Sequence, residues 1–241
     1  MNARKMRLIA VVGLALMLTF VLAGGAVAAR PEPTAPPPQD IERGVFVDHG
    51  YSSPLWYPPA EETDRYQWAP KIYWADSDLP LDFTVYTLGA PSGAFGAVTP
   101  AFAEWDEYTS TEIYNPPVEN YVDDPPSVEV RDEENTMSWD VIDGPGGIIA
   151  VCYYWYWVNT KKLIEVDIVF DKDETWGIGS GSFFDIQNIA THELGHTLVL
   201  GDLRSPKDGA LTMHAYTWLG DITKRDLGSG DILGIRAIYG E

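Results

Sequence analysis

The stretch FDIQNIATHELGHTLVLGD, residues 184–202, decides which fold this sequence predicts. His192 and His196 are four positions apart, so on an α-helix they lie one turn apart on one face and both imidazoles can reach one metal ion. Glu193 is rotated by roughly 100° from His192 and can reach a water molecule at that ion without binding the metal itself. Apolar side chains recur every four residues on the opposite side: Ile186, Ala190, Leu194 and Leu198. The pattern predicts a helix with one buried side and a zinc site on the other.

A zinc ion held by two histidines needs a third protein ligand and one open position for water or substrate. Asp202 is the first candidate, because it comes directly after Gly201, where a chain leaving the helix can turn back towards the metal. His214 is the rival candidate, and His49 is a weaker one. The residues alone leave the choice between Asp202 and His214 open.

Hydrophobic periodicity predicts a mixed domain of helices and strands that begins near Tyr66. The predicted strands lie at residues 81–87, 127–131, 147–157 and 163–170. The predicted helices lie at about residues 95–105, 184–200 and 230–239. Pro100 must start, kink or delay the first helix, because proline has no backbone N–H and clashes with the preceding turn.

The first 64 residues precede this domain and differ from it in composition. A basic start, an apolar run and the small residues Ala-Val-Ala at 26–28 predict a signal peptide over residues 1–28, and hence a secreted, extracellular protein. An uncleaved membrane anchor is the alternative, because the apolar run is nearly long enough to span a bilayer. Residues 29–64 begin with a proline-rich stretch and are interpreted as a linker or short pro-segment, or as an arm packed on the domain.

The chain is strongly acidic, with a formal net charge of −20 at pH 7. Removal of residues 1–28 takes away three basic and no acidic residues, which changes the charge to −23. Such a surface repels nucleic acids and acidic membranes, so neither is expected as a partner of the mature chain. Cys152 is the single cysteine, which excludes an intrachain disulfide and leaves bound metal ions as one way to stabilise an exported chain.

Several motifs resemble those of the matrixins, a family of metzincin zinc proteases. HELGHTLVLGD is similar to their zinc site in the variant where aspartate replaces the third histidine, as in snapalysin-like enzymes. Residues 139–176 resemble their sheet segment, with a DGPG turn and an FDKDETW motif. Residues 211–213 resemble the Met-turn beneath the zinc, and residues 230–240 resemble the closing helix. The resemblance covers about residues 65–241 and implies a catalytic domain over that range.

The resemblance implies a role for each matching residue. The implied zinc ligands are His192, His196 and Asp202, and Glu193 is the implied general base that activates a zinc-bound water. The other implied roles belong to the Met-turn (Met213), its brace (Asp231), a structural calcium site (Asp171 and Glu174) and the substrate pocket (Tyr216). Carboxylates on an adjoining strand and turn also suit calcium on physical grounds.

The resemblance also implies an α+β metzincin-type catalytic domain, with three helices and a twisted, mostly parallel five-stranded sheet that has an antiparallel edge strand. This edge strand, about residues 147–151, would pair with an extended substrate through backbone hydrogen bonds. The aromatic run at residues 153–157 is interpreted as strand and core packing rather than as a sugar-binding platform.

Some positions depart from the matrixin pattern. Val199 stands where the family has glycine at the end of the zinc helix, and because valine resists positive φ we expect the bend to move to Gly201. Val151 and Val169 replace the histidines of a second, structural zinc, so no such site is expected. Cys152 lies in a strand and not in a cysteine-switch motif, so any latency needs another mechanism.

Together these features predict a secreted, monomeric zinc metalloendopeptidase that acts on proteins or peptides, such as those of the extracellular matrix, and carries structural calcium. The alternative is a degenerate, non-catalytic metzincin that binds glycans or peptides. Glu193 argues against this alternative, since a purely structural zinc site needs no base, whereas Val199 is the strongest argument for it.

Overall fold

The structure, a computed structural model, describes residues 40–51, 63–69, 71–128 and 130–241. The predicted signal peptide at residues 1–28 lies outside the described residues. Within the part that is described, no helix has both the length and the apolar character needed to cross a membrane.

Three α-helices and nine strands make up the described fold. The helices are α1 (Ala94–Asp106), α2 (Ile186–Thr197) and α3 (Ser229–Tyr239). The strands are β1 (Ile41–Tyr51), β2 (Thr84–Tyr86), β3 (Val118–Asn120), β4 (Thr136–Asp140), β5 (Ile148–Trp157), β6 (Leu163–Asp171), β7 (Trp176–Gly177), β8 (Phe184–Asp185) and β9 (Tyr216–Trp218).

Seven of these strands form one sheet, in the order β3-β2-β4-β6-β5-β1-β9. All of them run in one direction except β5, which is antiparallel to both β6 and β1. The predicted α+β class, with three helices and a mostly parallel sheet, is confirmed. The described sheet has seven strands instead of the expected five, and two of them, β1 and β9, lie beyond β5.

The hydrophobic core lies between this sheet and helices α1 and α2. Trp105 of α1 is fully buried and donates its indole N–H to the carbonyl oxygen of Thr191 on α2, at 2.8 Å. Tyr114 donates its hydroxyl to the carbonyl oxygen of Leu194, at 3.0 Å. These buried hydrogen bonds fix α2, which carries the two histidines, against the rest of the core.

Two local predictions need correction. The strand predicted at residues 127–131 is wrong: Val130 donates its backbone N–H to the carbonyl oxygen of Ser127 in a turn, and β4 fills the place beside β2 and β6. A start or a delay of α1 at Pro100 is wrong, because the helix begins at Ala94 and continues through the proline, whereas a kink stays a prediction. The buried side of α1 holds the helix by tertiary packing, which overrides the local preference of proline.

β1 comes from the segment interpreted as a linker, a pro-segment or an arm packed on the domain, and in the structure residues 41–51 pack on the domain as part of its sheet. β1 pairs with β5 from Ile41 opposite Trp157 to His49 opposite Ile148. The expectation that residues 147–151 form an open edge is therefore wrong for the described chain. The backbone N–H and C=O groups of that edge attract another strand, and here a segment of the same chain supplies it.

Candidate metal centre

Helix α2 is held firmly at the end that leads into the site. Asp185 caps it by accepting a hydrogen bond from the backbone N–H of Asn188, at 2.8 Å. Arg225 donates two hydrogen bonds to the same carboxylate, at 2.8 and 2.6 Å. Every residue of α2 except Gln187 is buried, so the histidine side chains are positioned by packing along the whole helix.

The bend after α2 lies at Val199, which adopts a φ of 57°. The expectation that the bend moves to Gly201 is wrong, because tertiary contacts hold Val199 in this conformation. Its side chain is fully buried, its N–H donates to the carbonyl oxygen of His196, and its own carbonyl oxygen accepts from Ala69. The left-handed conformation strains a β-branched residue by about 1–3 kcal/mol, and this contact set maintains it.

The turn brings a carboxylate to the two imidazoles. Oδ1 of Asp202 lies 3.5 Å from Nε2 of His192 and 3.5 Å from Nε2 of His196. A second carboxylate comes from β1, where Oδ2 of Asp48 lies 2.9 Å from Nε2 of His192. One ligand atom from each of these four residues lies within 4.8 Å of the others.

The orientation of the histidines suits metal binding. Nδ1 of His192 lies 2.6 Å from the carbonyl oxygen of Thr212, and Nδ1 of His196 lies 2.7 Å from that of Leu200. A carbonyl only accepts, so each Nδ1 carries a proton and Nε2 is the nitrogen of each ring that is left to bind a metal. Both Nε2 atoms and Oδ1 of Asp202 are buried and have no hydrogen-bond partner within the described part of the chain. Two imidazoles with carboxylate oxygens are a donor set that fits Zn²⁺.

The charges of the site also favour a cation. Burial lowers the pKa of His192, but the Asp48 carboxylate raises it to about 10 overall. Burial raises the pKa of Asp202, but its contacts with His192 and His196 outweigh this effect and hold it far below its usual range. A divalent cation between these groups would satisfy the carboxylates and leave the imidazoles neutral.

Glu193 is fully buried, and neither of its carboxylate oxygens has a hydrogen-bond partner among the described residues. Burial and the nearby charge of Asp48 raise the pKa of this carboxyl well above its usual value. A carboxylate in such an environment binds a proton strongly, which is the property that a general base needs.

The turn at residues 211–213 lies directly beneath α2. A Cβ atom added at Gly195 would lie 2.3 Å from Sδ of Met213 and 2.7 Å from Cζ2 of Trp105, so glycine allows this close approach. Asp231 of α3 braces the turn as the resemblance implied, accepting from the backbone N–H of Thr212 at 2.7 Å and of Met213 at 3.0 Å. The turn then presents the Thr212 carbonyl oxygen to His192.

The other candidate residues lie apart from the four-residue metal group, which is the single such group in the described part of the chain. The ring of His214 packs against Tyr216, at 5.3 Å between centroids, rather than joining the group. His49 is on β1, opposite Tyr216 of β9. Tyr216 therefore lies along the path of β1, and its role in a substrate pocket stays a prediction.

Asp171 and Glu174 organise a turn. Asp171 accepts from the backbone N–H groups of Asp143 and Asp173, at 3.2 and 2.9 Å. Glu174 accepts from the N–H groups of Gly146 and Gly147. Calcium binding by these two carboxylates stays a prediction.

The sequence patterns did not identify two residues of the site, Asp48 and Lys224. Asp48 was placed outside the predicted domain, although Gly44, Phe46, Asp48 and Gly50 alternate as one face of a strand. Lys224 is fully buried behind the site: its ammonium donates to the carbonyl oxygen of His214 and lies 3.2 Å from Nδ1 of His192. No local pattern marks that lysine.

Comparison with known proteins agrees with this geometry. Residues 74–240, more than half of the chain, match the matrixin family. The chain belongs to the matrixins. This matrixin is 36% identical to stromelysin-3 of Homo sapiens over 99 residues, which cover 41% of this chain and 18% of that protein.

Other relatives give similar figures. Matrilysin of Felis catus is 35% identical over 99 residues, covering 41% of this chain and 35% of the relative. Interstitial collagenase of Bos taurus is 38% identical over 98 residues, covering 41% of this chain and 19% of the relative. The aligned region is thus between 18% and 35% of the length of these relatives.

Proposed function

We propose that this matrixin is a secreted zinc endopeptidase that hydrolyses peptide bonds in extracellular proteins. The observation that carries the proposal is the convergence of His192, His196 and Asp202 beside the buried carboxylate of Glu193. Membership of the matrixins and the names of the relatives, a collagenase and a matrilysin among them, support a metalloendopeptidase. The extracellular location, the monomeric state and structural calcium are parts of the same proposal.

Zinc would be held by Nε2 of His192, Nε2 of His196 and a carboxylate oxygen of Asp202. When bound, it supplies a Lewis acid that polarises a carbonyl and lowers the pKa of water to around 7. Glu193 takes the proton from the attacking water and later returns it to the leaving amine nitrogen. The Nδ1 hydrogen bonds of the two histidines hold the imidazoles in place while this happens.

Two observations argue against the non-catalytic alternative. The bend at Val199 leaves Asp202 beside the imidazoles, so the departure from glycine does not move this carboxylate away. Side chains of β1 contact the aromatic rings of β5, with Phe46 stacked on Tyr154 and Arg43 over Tyr153, and Trp155 is buried, which reduces the ring surface open to a sugar.

The function is tested by pairing zinc content with cleavage of an unstructured protein such as casein. Because β1 covers β5, the assay uses both the native chain and the chain with Asp48→Ala. We expect one zinc per chain, and we expect Glu193→Ala to keep the zinc but to lower kcat/KM by at least 10²-fold, the usual contribution of a general base. Glu107→Ala, on the exposed end of α1, is the matched control. A zinc-loaded Asp48→Ala chain that cleaves nothing would favour the non-catalytic binder.

A further inference from the structure

We propose that β1 is an inhibitory segment built into the chain, and that Asp48 blocks the metal centre as a fourth zinc ligand. The proposal rests on the proposed function, because it assumes that zinc binds at His192, His196 and Asp202. It adds a ligand and a form of latency that the sequence motifs do not contain.

The first support is the path of β1 through the place that a substrate would need. β1 pairs with β5 over residues 41–49, and residues 49–51 continue along β9 in parallel register. Pairing with β5 up to residue 49 and with β9 from residue 49 onward therefore holds β1 in place on either side of the metal group. A peptide that pairs with β5 as an added strand must first displace it.

The second support is the face that β1 turns towards the histidines. Alternate strand residues point to one side, so Phe46 and Asp48 share a face. The ring of Phe46 stacks on the imidazole of His196, with 4.2 Å between centroids and 4° between planes. Asp48 reaches Nε2 of His192 at 2.9 Å and is 2% exposed. One strand thus covers both imidazoles and shields the site from water.

The third support is that the same face carries glycine where the approach is closest. A Cβ atom at Gly44 would lie 2.0 Å from Cζ of Tyr154. A Cβ atom at Gly50 would lie 2.3 Å from Cζ of Phe184 and 2.5 Å from Cγ2 of Ile149. The sequence of β1 is therefore fitted to this groove on both sides of Asp48, which a loosely held linker would not require.

The fourth support is the chemistry of Asp48. Both carboxylate oxygens are buried and accept no regular hydrogen bond from the residues that the structure describes, and Asp48 lies beside the buried Glu193. Two adjacent buried carboxylates repel each other unless a cation lies between them and other donors. As a ligand, Asp48 would occupy the position that water or substrate needs, and its strand would keep the peptide out.

The test measures access to the metal, apart from catalysis. Full-length chains carrying Glu193→Ala are loaded with Co²⁺ in place of zinc and titrated with acetohydroxamate while the visible absorption of the cobalt is recorded. We expect no spectral change in the parent chain, and a saturable change after Asp48→Ala is added. Gly44→Val, which displaces β1 without altering a ligand, should also open the site. Asp40→Ala, an exposed aspartate just before β1, is the matched control and should behave as the parent.

A second readout uses the catalytically intact chain, with casein cleavage expected to rise at least tenfold after Asp48→Ala or Gly44→Val. Equal hydroxamate binding by the parent and the Asp48→Ala chain would overturn the inhibitory role. Weaker cobalt binding after Asp48→Ala, with no gain in hydroxamate binding, would make Asp48 a permanent ligand and would also overturn it. Hydroxamate binding by the Asp48→Ala chain without any casein cleavage would support the inhibitory role and contradict the proposed function. A chain that binds no metal would contradict both proposals.

Discussion

At the scale of single residues, Asp202 lies close enough to both imidazoles to be the third metal ligand, and the rival candidate His214 lies outside the metal group. The Oδ1 atom of Asp202 lies 3.5 Å from both imidazole nitrogens, whereas His214 packs against Tyr216. We expect Asp202→Ala to weaken zinc binding by on the order of 100-fold or more, since even the loss of an outer-shell partner typically weakens it 10–100-fold. Competition with a chromophoric chelator measures this affinity.

His214→Ala is the matched control for that measurement. It removes an imidazole of the same neighbourhood but leaves the His214 carbonyl oxygen, which binds Lys224, in place. We expect it to change zinc affinity by only a few-fold. The reverse ranking, with His214→Ala more harmful than Asp202→Ala, would identify His214 as the third ligand.

The same residues show what a sequence can predict about a site. His192, Glu193 and His196 form a local pattern, because the helix repeat alone brings them together. Val199 shows the limit of a local rule: its backbone preference favoured a bend elsewhere, but burial and hydrogen bonds to its neighbours overrode it. Asp48 is distant from His192 in the sequence and contacts it only through the tertiary fold, so no spacing of residues predicts this contact.

At the scale of elements, α3 holds the turn beneath α2 through one side chain. Asp231 accepts from the backbone N–H groups of Thr212, Met213 and Gly228, at 2.7, 3.0 and 3.0 Å. Asp231→Asn keeps a single acceptor oxygen and places an amide group against buried N–H groups. We expect a loss of about 2–4 kcal/mol in the free energy of unfolding, measured by urea titration, because buried donors lose their partner.

Asp226→Asn is the comparison for that variant. Asp226 is exposed on the same connection, and only its carbonyl oxygen bonds to Thr212. It should change stability by less than about 0.5 kcal/mol, as most surface substitutions do. Equal stability of the Asp231→Asn chain and the native chain would show that the brace contributes nothing.

Elements were predicted well where the signal is periodic and local. The β5–β6 hairpin and α2 follow from runs of apolar residues that a strand or a helix can bury on one face. β1 has no such run, since its inward face carries Gly44, Phe46, Asp48 and Gly50 and contributes a single large apolar side chain, Phe46, to the edge of the core. Its pairing with β5 gives it structure, so the element exists only in the context of the fold.

At the scale of the whole molecule, the many carboxylates make folding stability depend on pH. Asp167 is a buried example on β6: burial and the charge of Glu165 raise its pKa to about 7, although hydrogen bonds from Thr136 lower it. In the unfolded chain an aspartate titrates near pH 4. Between about pH 4 and 7 the unfolded chain therefore loses a proton that the folded chain keeps, and stability falls as pH rises through this window.

Asp167→Asn removes that titration while retaining an acceptor oxygen for Thr136. Its free energy of unfolding should match the native value near pH 4 and exceed it increasingly up to about pH 7, by about 2–4 kcal/mol, with no further change above that. Urea titrations at several pH values measure the difference between the two chains, in which titrations at the metal centre cancel. Asp140→Asn is the control, because the N–H of Val141 and the Lys172 ammonium lower the pKa of Asp140, so its pH-dependent contribution lies below about pH 4 and its difference from the native chain should stay nearly constant from pH 5 to 7. A difference for Asp167→Asn that stays constant from pH 4 to 8 would mean that Asp167 is ionised in the folded chain throughout.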